Sequence, residues 1–266
     1  TVLKGRFSSG TKGILLRKGL VITQFTISIA LIIGTIVVYN QMRYMRDREL
    51  GFVKDQMMVI DTNGDKNKEA FKQSLAGMPK VKSVSMSGSV PSSGNPGAYS
   101  EIENTKGDMQ IANLDLYFVD FDYLDHYKIK VLAGRGFSRD FMTDTTQAMV
   151  MNEAAIKMFG YTKPEQAIGK KFKQWGREGK IIGVIKDFHF RGLQTPIKPL
   201  SMRMEPGGSN LVSVNVTGDD LPNTIKAIEA KWKAAIPGRP FTYYFLDQHL
   251  DEQYRWSFRA FFTGPP

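Results

Sequence analysis

An uncharged, apolar run of 20 residues near the N-terminus constrains the fold of this chain more than any other feature. The run extends from Leu20 to Tyr39 and reads LVITQFTISIALIIGTIVVY. At a rise of about 1.5 Å per residue, a helix of this length spans about 30 Å, which is the thickness of the hydrocarbon core of a bilayer. The run therefore predicts a transmembrane helix over residues 20–39.

A buried soluble helix and a cleaved signal peptide both fit this run less well. A helix buried inside a soluble protein would need apolar neighbours on all sides for five turns, which is uncommon in a domain of this size. A cleaved signal peptide usually has a shorter apolar region followed by small residues, whereas Tyr39-Asn40-Gln41 stands at the end of this run. An uncleaved spanning helix is the better interpretation.

The basic residues of the chain are concentrated beside the apolar run. The formal net charge is +10, and residues 1–46 carry seven basic and no acidic side chains, which leaves 10 − 7 = +3 for the other 220 residues. Membrane lipid is therefore a better partner than nucleic acid, which would also require a recognition element that the sequence lacks. The seven residues are Lys4, Arg6, Lys12, Arg17, Lys18, Arg43 and Arg46.

Five of these basic residues precede the apolar run and two follow it. By the positive-inside rule, residues 1–19 are predicted to form a cytoplasmic juxtamembrane segment, and the chain is predicted to lie outside the cytoplasm from residue 40 onward. No Pro or Gly interrupts residues 40–50, so the helix is expected to continue as a stalk over residues 40–51, with Gly51 as its stop.

The remaining sequence predicts an α+β domain, in which one lobe is interrupted by a smaller one. Strand and helix patterns alternate over residues 52–140, several short strands and one helix follow over residues 141–206, and the first texture returns over residues 207–250. Predicted strands are 57–60, 81–90, 111–119, 129–132, 148–151, 180–186, 200–204, 211–216 and 241–246; predicted helices are 66–76, 121–127, 153–159 and 220–236.

Local signals mark several boundaries of these elements. Asn152 and Asp220 are expected to cap the helices that follow them, and a turn is expected at residues 176–179. Asp247 is expected to open a last helix, whose continuation over residues 251–266 begins a returning stalk. The chain begins with Thr and ends with Gly-Pro-Pro, so we expect a fragment of a longer protein whose last residues are an added tail.

No catalytic, cofactor-binding or metal-binding site is predicted in this chain. The absence of cysteine excludes a disulfide framework and a zinc–thiolate site. The segment from Gly5 to Lys12 superficially resembles a phosphate-binding loop, but it lacks the Gly-Lys-Ser/Thr order and a preceding strand. ATP and magnesium are therefore expected on another chain.

The histidines offer weak candidates for chemistry. Asp187 and His189 are the best pair, yet no Ser or Cys nucleophile and no metal-ligand spacing accompany them, so a structural histidine at a strand end is preferred. His249 and Asp251 are two positions apart on a predicted helix and do not face one another. His126 has no motif around it.

Three further motifs receive structural interpretations. Gly134-Arg135-Gly136 is read as a turn, because a lone GxG pattern is weak. Four methionines are expected to pack in the core or against a helix, in preference to forming a soft-metal or hydrophobic ligand surface. Three phenylalanines near the C-terminus are expected to mark the approach to a second membrane helix. These residues are Met42, Met45, Met57, Met58, Phe258, Phe261 and Phe262.

Three stretches give the chain a family resemblance. The first is LRKGLVITQFTISIALIIGTIVVYNQMRYMRDRELGF, the second is IIGVIKDFHFRGL with the following TPIKPL, and the third is FLDQHLDEQY near the C-terminus. Together they resemble the extracytoplasmic core domain, with its first membrane helix, of MacB/FtsX-type ABC transporter permeases. A weaker likeness joins VLKGRF to the linker before the second half of duplicated permeases.

The resemblance implies a fold and a mechanical function. It implies a porter-like α+β lobe at 52–140 and 207–250, interrupted by a β-rich lobe at 141–206. It also implies the bacterial inner membrane with a periplasmic main domain, a cytosolic ABC ATPase, a second permease copy or half, and a periplasmic or outer-membrane partner. Force would pass along the stalk, with no chemistry in this chain, to support efflux, lipoprotein handling or activation of an envelope partner.

The sequence leaves two alternatives open. A single-span receptor-like protein with an extracytoplasmic ligand-binding domain would fit the same topology. A membrane-anchored hydrolase would need a nucleophile and base that the sequence does not place together. Further apolar spans beyond residue 262 would distinguish the permease from the receptor.

Overall fold

The computed structural model describes residues 11–47, 50–191 and 195–252 of the chain. The chain forms two compact units, Thr1–Arg48 and Glu49–Pro266. The described part of the first unit is a helix, and the described part of the second is a mixed α and β domain. The predicted α+β class is confirmed.

The first unit contains helix α1, Thr11–Asp47. Its segment Ile14–Asn40 has a mean hydropathy of 2.3 and, among the described residues, is the one helical stretch long and apolar enough to cross a membrane. The hydroxyls of Thr26 and Thr35 donate to backbone carbonyls one turn earlier, at 2.9 and 2.8 Å, which satisfies both groups without water. The predicted span, residues 20–39, lies inside this stretch, and the helix continues to Asp47 as expected for a stalk.

In the part of the chain that the structure describes, the second unit contains eleven strands and six α-helices. In chain order they are β1 (Met57–Asp61), α2 (Lys68–Ala76), β2 (Val81–Ser87), β3 (Gly97–Glu103), β4 (Met109–Val119), α3 (Tyr123–His126), β5 (Val131–Gly134), α4 (Asp144–Gln147), β6 (Ala148–Asn152), α5 (Glu153–Met158), β7 (Lys171–Gln174), β8 (Arg177–Ile185), β9 (Leu200–Met204), β10 (Leu211–Val216), α6 (Leu221–Ala235) and β11 (Tyr243–Phe245). Residues 246–252 begin a further helix, α7.

Four antiparallel strands form the first sheet, in the order β11-β1-β10-β2. Helices α2 and α6 cover one face of it, where Phe71 and Trp232 meet edge to face with ring centroids 5.2 Å apart. Alternation along β1 divides its residues between two cores, because Met58 and Ile60 lie on this face while Met57 and Val59 lie on the other.

Seven strands form the second sheet, in the order β5-β8-β6-β9-β4-β3-β7. Strand β7 also pairs with β8, so strands β8, β6, β9, β4, β3 and β7 close into a ring of six. Closure of this kind removes exposed sheet edges. A separate hydrophobic cluster joins α5 to strands of the ring, with Phe159 and Phe172 among its fully buried side chains.

A third cluster lies between the two sheets and is shared by them. It combines Met57 and Val59 of β1 with Tyr117 and Val119 of β4, all of which are essentially inaccessible to solvent. Tyr127, which follows α3, donates a hydrogen bond from its hydroxyl to Ser213 Oγ of β10 at 2.8 Å. We call this cluster the shared core, because side chains from both sheets complete it.

Most predicted elements are present, β3 and β7 are not among the predicted strands, and two local boundary predictions are wrong. Strand β8 begins at Arg177, because the turn lies earlier, at Trp175 and Gly176, which have φ of 48° and 73°. Asp220 occupies the N-cap position of α6 with φ 61° and makes no side-chain cap; its carboxylate instead accepts hydrogen bonds from the Asn223 amide. Asn152 does cap α5, because its side chain accepts from Ala155 N.

The predicted boundary at residue 206 falls between the two sheets, because β9 belongs to the second sheet and β10 to the first, whereas no change of sheet falls at residue 140. Strands β3, β4 and β5 lie within the predicted first part, 52–140, yet they pair with strands inside the predicted insert. The parallel pairing of β4 with β9 and the antiparallel pairing of β3 with β7 draw residues 97–134 into the second sheet. The division of the second unit into two lobes stays a prediction.

Candidate functional site

Several residues singled out in the sequence lie outside the described part of the structure. The segment from Gly5 to Lys12 falls there for all but its last two residues, as do the three C-terminal phenylalanines. The side chains of Met42 and Met45 are also outside it. The expectations for these residues therefore stay predictions.

The Asp187–His189 segment begins two residues after the end of β8 and forms hydrogen bonds with α5 and with Leu50. The Asp187 carboxylate accepts a hydrogen bond from Ala154 N at 3.0 Å, and Asp187 N donates to Glu153 Oε2 at 3.0 Å, which fixes the start of α5. Burial raises the pKa of Asp187. The backbone nitrogen of His189 donates to Leu50 O at 2.9 Å. These contacts connect the end of β8 to α5 and to Leu50, which is a structural role.

The chain enters the second unit at residues 50–53, which we call the root segment. Gly51 has φ 84°, and a Cβ added to it would lie 2.8 Å from Phe188 Cβ, so only glycine allows this close approach. Phe52 packs edge to face on Phe188 and on Tyr127, with ring centroids 6.2 and 6.4 Å away. Val53 N donates to Tyr127 O at 2.9 Å. Backbone and aromatic contacts thus hold the root segment from two sides.

The last described helix joins the same place. Leu246 and Leu250 of α7 are fully buried and belong to the shared core, together with Leu50, Phe188 and Phe190. The chain therefore enters the second unit and approaches its C-terminus through one hydrophobic cluster. Displacing either segment would disturb the packing that both sheets share.

A buried tyrosine ties the root region to the second sheet. Tyr117 of β4 donates from its hydroxyl toward Val90 O and Phe190 O, each at 3.2 Å, and packs against the Phe190 ring at 5.8 Å. Burial raises the pKa of Tyr117 well above its usual value, so the hydroxyl keeps its proton at neutral pH. The segment that follows β8 is thus hydrogen-bonded to Tyr117 of β4, a strand of the second sheet.

A buried ionic cluster forms a second link between the sheets. Asp120, one residue beyond β4, accepts hydrogen bonds from Lys72 Nζ at 2.7 Å, Ser85 Oγ at 2.8 Å and Met86 N at 2.6 Å. Lys72 lies on α2, while Ser85 and Met86 lie on β2 of the first sheet. We call this arrangement the Asp120 junction, because one carboxylate unites the end of a second-sheet strand with a strand and helix of the first.

A neighbouring carboxylate completes the junction at its surface. Asp122 accepts from Lys72 Nζ at 2.9 Å and from both terminal nitrogens of Arg139 at 2.8 and 2.7 Å. The hydrogen bonds from Arg139 lower the pKa of Asp122 to about 2. Burial alone would lower the pKa of Lys72, but Asp120 and Asp122 together raise it above its usual value. The ammonium therefore stays charged between the two carboxylates.

His126 lies beside the junction and is buried. Its Nδ1 is 2.8 Å from Ser83 Oγ, while Nε2 has no hydrogen-bond partner in the described part of the chain. Burial lowers the pKa of His126 to about 4, so the imidazole is neutral at physiological pH. Its environment is that of a structural histidine at the joint between α3 and β2.

The remaining candidates do not converge on one site. Met57 and Met58 are buried on opposite faces of β1, so their predicted role in packing is confirmed. His249 packs against the Tyr244 ring at 4.8 Å. Gly134 has φ 70° but ends β5, and Arg135 N donates to Ile182 O at 3.0 Å, so the turn predicted for the GxG segment is not observed. Among the residues that the structure describes, no group of three His, Asp or Glu side chains is placed to hold a metal.

Comparison with known proteins gives a consistent result. The family described as "MacB-like periplasmic core domain" matches residues 20–231. The periplasmic region of MacB from Actinobacillus actinomycetemcomitans is similar, with a TM-score of 0.55 and 16% identity over 77% of this chain and 94% of that one. A domain of a putative permease protein from Porphyromonas gingivalis is also similar, with a TM-score of 0.51 and 13% identity over 71% of this chain and 89% of that one. No curated protein matches the chain.

Proposed function

The chain belongs to the family of MacB-like periplasmic core domains of ABC transporter permeases, and from this premise we propose that it transmits force from a separate cytosolic ATPase to work outside the inner membrane. In this proposal α1 spans the membrane and continues as a stalk toward the root segment. ATP and Mg²⁺ bind the partner ATPase, and this chain carries out no chemical step.

The arrangement of the root segment supports this proposal most strongly. Residues 50–53 are held by the Phe188–Phe190 segment and Tyr127, and α7 enters the same shared core. Because this core also contains residues of both sheets, motion of either terminal segment would act on the whole domain. A ligand-binding domain on a passive anchor would not require the root segment and α7 to converge in this way.

The Asp120 junction gives the domain the stiffness that such coupling needs. Its carboxylate is buried and its donors come from α2 and β2, so separating the sheets would leave charges and a backbone N–H without partners. A motion applied at the root would then displace the two sheets together, without being absorbed by slippage between them.

The proposal also includes location and partners. The five basic residues before the span favour a cytoplasmic N-terminus and contacts with anionic lipid of the inner membrane, which leaves the second unit in the periplasm. A second permease copy or half would complete a dimer, and a periplasmic or outer-membrane partner would receive the motion. Efflux, lipoprotein handling and activation of an envelope partner all remain within this proposal.

Purification of the full-length protein from native membranes tests the proposal. We expect an ATP-binding subunit to co-purify, and protease cleavage of the outer domain to change between the nucleotide-free and vanadate-trapped states. Gly51→Ala should weaken that change, whereas Gly238→Ala, at an exposed turn with the same φ of 84° and open space around it, should preserve it. Recovery of the protein without any ATPase, and with cleavage unaffected by nucleotide, would refute the proposal.

A further inference from the structure

Strands β7 and β8 place two like charges directly opposite each other. Lys171 and Lys180 are register partners in this antiparallel pair, and the rung two residues farther on pairs Lys173 with Glu178. Directly opposite side chains lie on one face of a sheet, with Cβ atoms about 5 Å apart, and like charges there are destabilising. The Lys173–Glu178 rung forms an ion pair of 2.9 Å, but the Lys171–Lys180 rung cannot.

Neither lysine of this rung has a carboxylate partner within the described residues. Glu103 is an acidic neighbour of Lys171, and its Oε2 accepts from the backbone nitrogen of Lys171 at 3.1 Å. Its Oε1 accepts from Lys170 Nζ at 3.0 Å, so Glu103 is already paired. Neither ammonium group of this rung therefore forms an ion pair within the described residues, and the charge of Glu103 reaches Lys171 only while it is also bound by Lys170.

This rung lines a cavity of about 730 Å³. Four basic and two acidic residues lie along it, a balance of 4 − 2 = +2. Both acids are engaged, because Asp144 binds the Arg135 guanidinium and Glu178 binds Lys173. The unbalanced charge is therefore that of the lysine rung. The six charged lining residues are Arg135, Asp144, Lys171, Lys173, Glu178 and Lys180.

The walls of this cavity are fixed by close backbone contacts. A Cβ at Gly179 would overlap Gln147 O, and a Cβ at Gly134 would overlap Ile182 O, so two glycines let these segments meet without a gap. Gln147, Gly179 and Ile182 all line the cavity. Met109 and Ile182 add apolar surface. The volume is within the range that small-molecule sites occupy.

We propose that this cavity binds a phosphate monoester, with Lys171 and Lys180 holding the phosphate and Met109 and Ile182 contacting the organic part. A phosphate monoester carries about −1.5 to −2 charges at pH 7, which matches the unbalanced charge of +2. A carboxylate would neutralise only one ammonium. The ligand chemistry is the same whether the phosphate belongs to a soluble molecule or to a lipid headgroup. This binding is independent of the mechanical coupling proposed above.

Calorimetric titration of the full chain in detergent tests this site. The probes are inorganic phosphate, glycerol 3-phosphate and a short-chain phosphatidate, with short-chain phosphatidylglycerol as a phosphodiester of lower charge. We expect saturable binding of the monoesters. Lys180→Gln should weaken it by roughly tenfold or more, the loss expected for one hydrogen bond to a charged group. Lys226→Gln makes the same charge change on an exposed face of α6 and should have no effect.

A second variant separates a binding site from a solvated surface pair. Lys180→Glu should raise the thermal midpoint without phosphate, because the introduced carboxylate faces Lys171, and should abolish the stabilisation that phosphate gives the wild type. Binding of phosphatidate far tighter than that of glycerol 3-phosphate would identify a lipid source, and equal binding a soluble one. Absence of saturable phosphate binding in the wild type, or its persistence in Lys180→Glu, would overturn the proposal.

Discussion

The Asp120 carboxylate, just beyond the last residue of β4, accepts a hydrogen bond of 2.6 Å from the backbone nitrogen of Met86 in β2. This contact joins the two sheets through a main-chain group, which every residue type except proline would supply at position 86. Lys72 and Ser85 donate to the same carboxylate from α2 and β2. The junction is thus a point at which the two sheets and a helix are bound to one side chain.

Removal of the Asp120 carboxylate should strongly destabilise the domain. Asp120→Ala leaves the buried Lys72 ammonium and Met86 N without their main acceptor, and breaking a buried pair in this way costs about 3–5 kcal/mol. Urea unfolding followed by circular dichroism measures the loss. Glu178→Gln is the control, because the Lys173–Glu178 pair is exposed to solvent and should contribute little to the free energy of unfolding. Equal effects of the two substitutions would contradict a structural role for the junction.

Substitution of Gly51 should cost more than its backbone angle explains. Gly51 and Gly238 share a φ of 84°, but a Cβ at Gly51 meets Phe188 Cβ at 2.8 Å while a Cβ at Gly238 meets open space. Gly238→Ala should destabilise by about 1–2 kcal/mol from the left-handed conformation alone. Gly51→Ala should add about 1–3 kcal/mol for the overlap. Denaturation midpoints of the two variants give the difference. Indistinguishable values would show that the root segment accommodates a Cβ at position 51 without a further loss of stability.

Acidification should destabilise the domain through His126. Its pKa is about 4 in the folded chain, against about 6.5 when unfolded, because burial disfavours the charged form. A lowered histidine pKa means that the unfolded chain takes up the proton first, so stability falls as the pH drops from about 6.5 to 4, by up to about 3 kcal/mol. The nearby charges of Asp122, Lys72 and Lys128 act in opposing directions on this imidazole.

The variant His126→Gln isolates this effect. Stability of the variant, measured by urea unfolding at several pH values, should vary less than that of the wild type between pH 6.5 and 4. The Asp122 contribution occupies a separate window, since a pKa lowered to about 2 gives stability that is present above about pH 4 and lost only below it. Parallel profiles for wild type and variant between pH 6.5 and 4 would exclude His126 as the source.

Periodicity predicted the elements whose burial follows a simple pattern. The uncharged run gave α1, the alternation of Leu211–Val216 gave β10, and the apolar stripe that includes Ile228 and Trp232 gave α6. In each of these, the residues that define the pattern are large and apolar, so hydrophobicity alone marks the element. The stretch KDFHF, which carries part of the family resemblance, also contains residues that contact the root segment.

Strand β3 escaped prediction because its buried side is largely small or polar. Ala98, Ser100 and Ile102 are all fully buried, so only one of the three inward positions is a large apolar residue. Ser100 Oγ accepts from Gln174 Nε2 at 2.9 Å, a partner 74 residues away. Gln174 reaches Ser100 because β7 pairs with β3 in the closed ring, and no local sequence pattern predicts that pairing.

The Asp120 junction could not be predicted for a similar reason. Asp120 follows β4 in a stretch that reads LDLYFVDFD, where one more acidic residue carries no distinguishing signal. Its partners on α2 and β2 lie between 34 and 48 positions away. Only the packing of the sheets shows that this carboxylate is buried. The same applies to His126, whose neighbours in sequence form no motif.

Distance measurement in the assembled transporter tests the proposed coupling most directly. The 266 residues contain no cysteine, so Ala230→Cys, on the exposed side of α6, places one spin label on each copy of a full-length permease from which any cysteines elsewhere have been removed, reconstituted with its ATPase. We predict that pulsed electron paramagnetic resonance shows a different distance distribution between the labels in the nucleotide-free and vanadate-trapped states, and that Gly51→Ala reduces this difference. Identical distributions in both states, while ATP is being hydrolysed, would contradict the transmission of force through this domain.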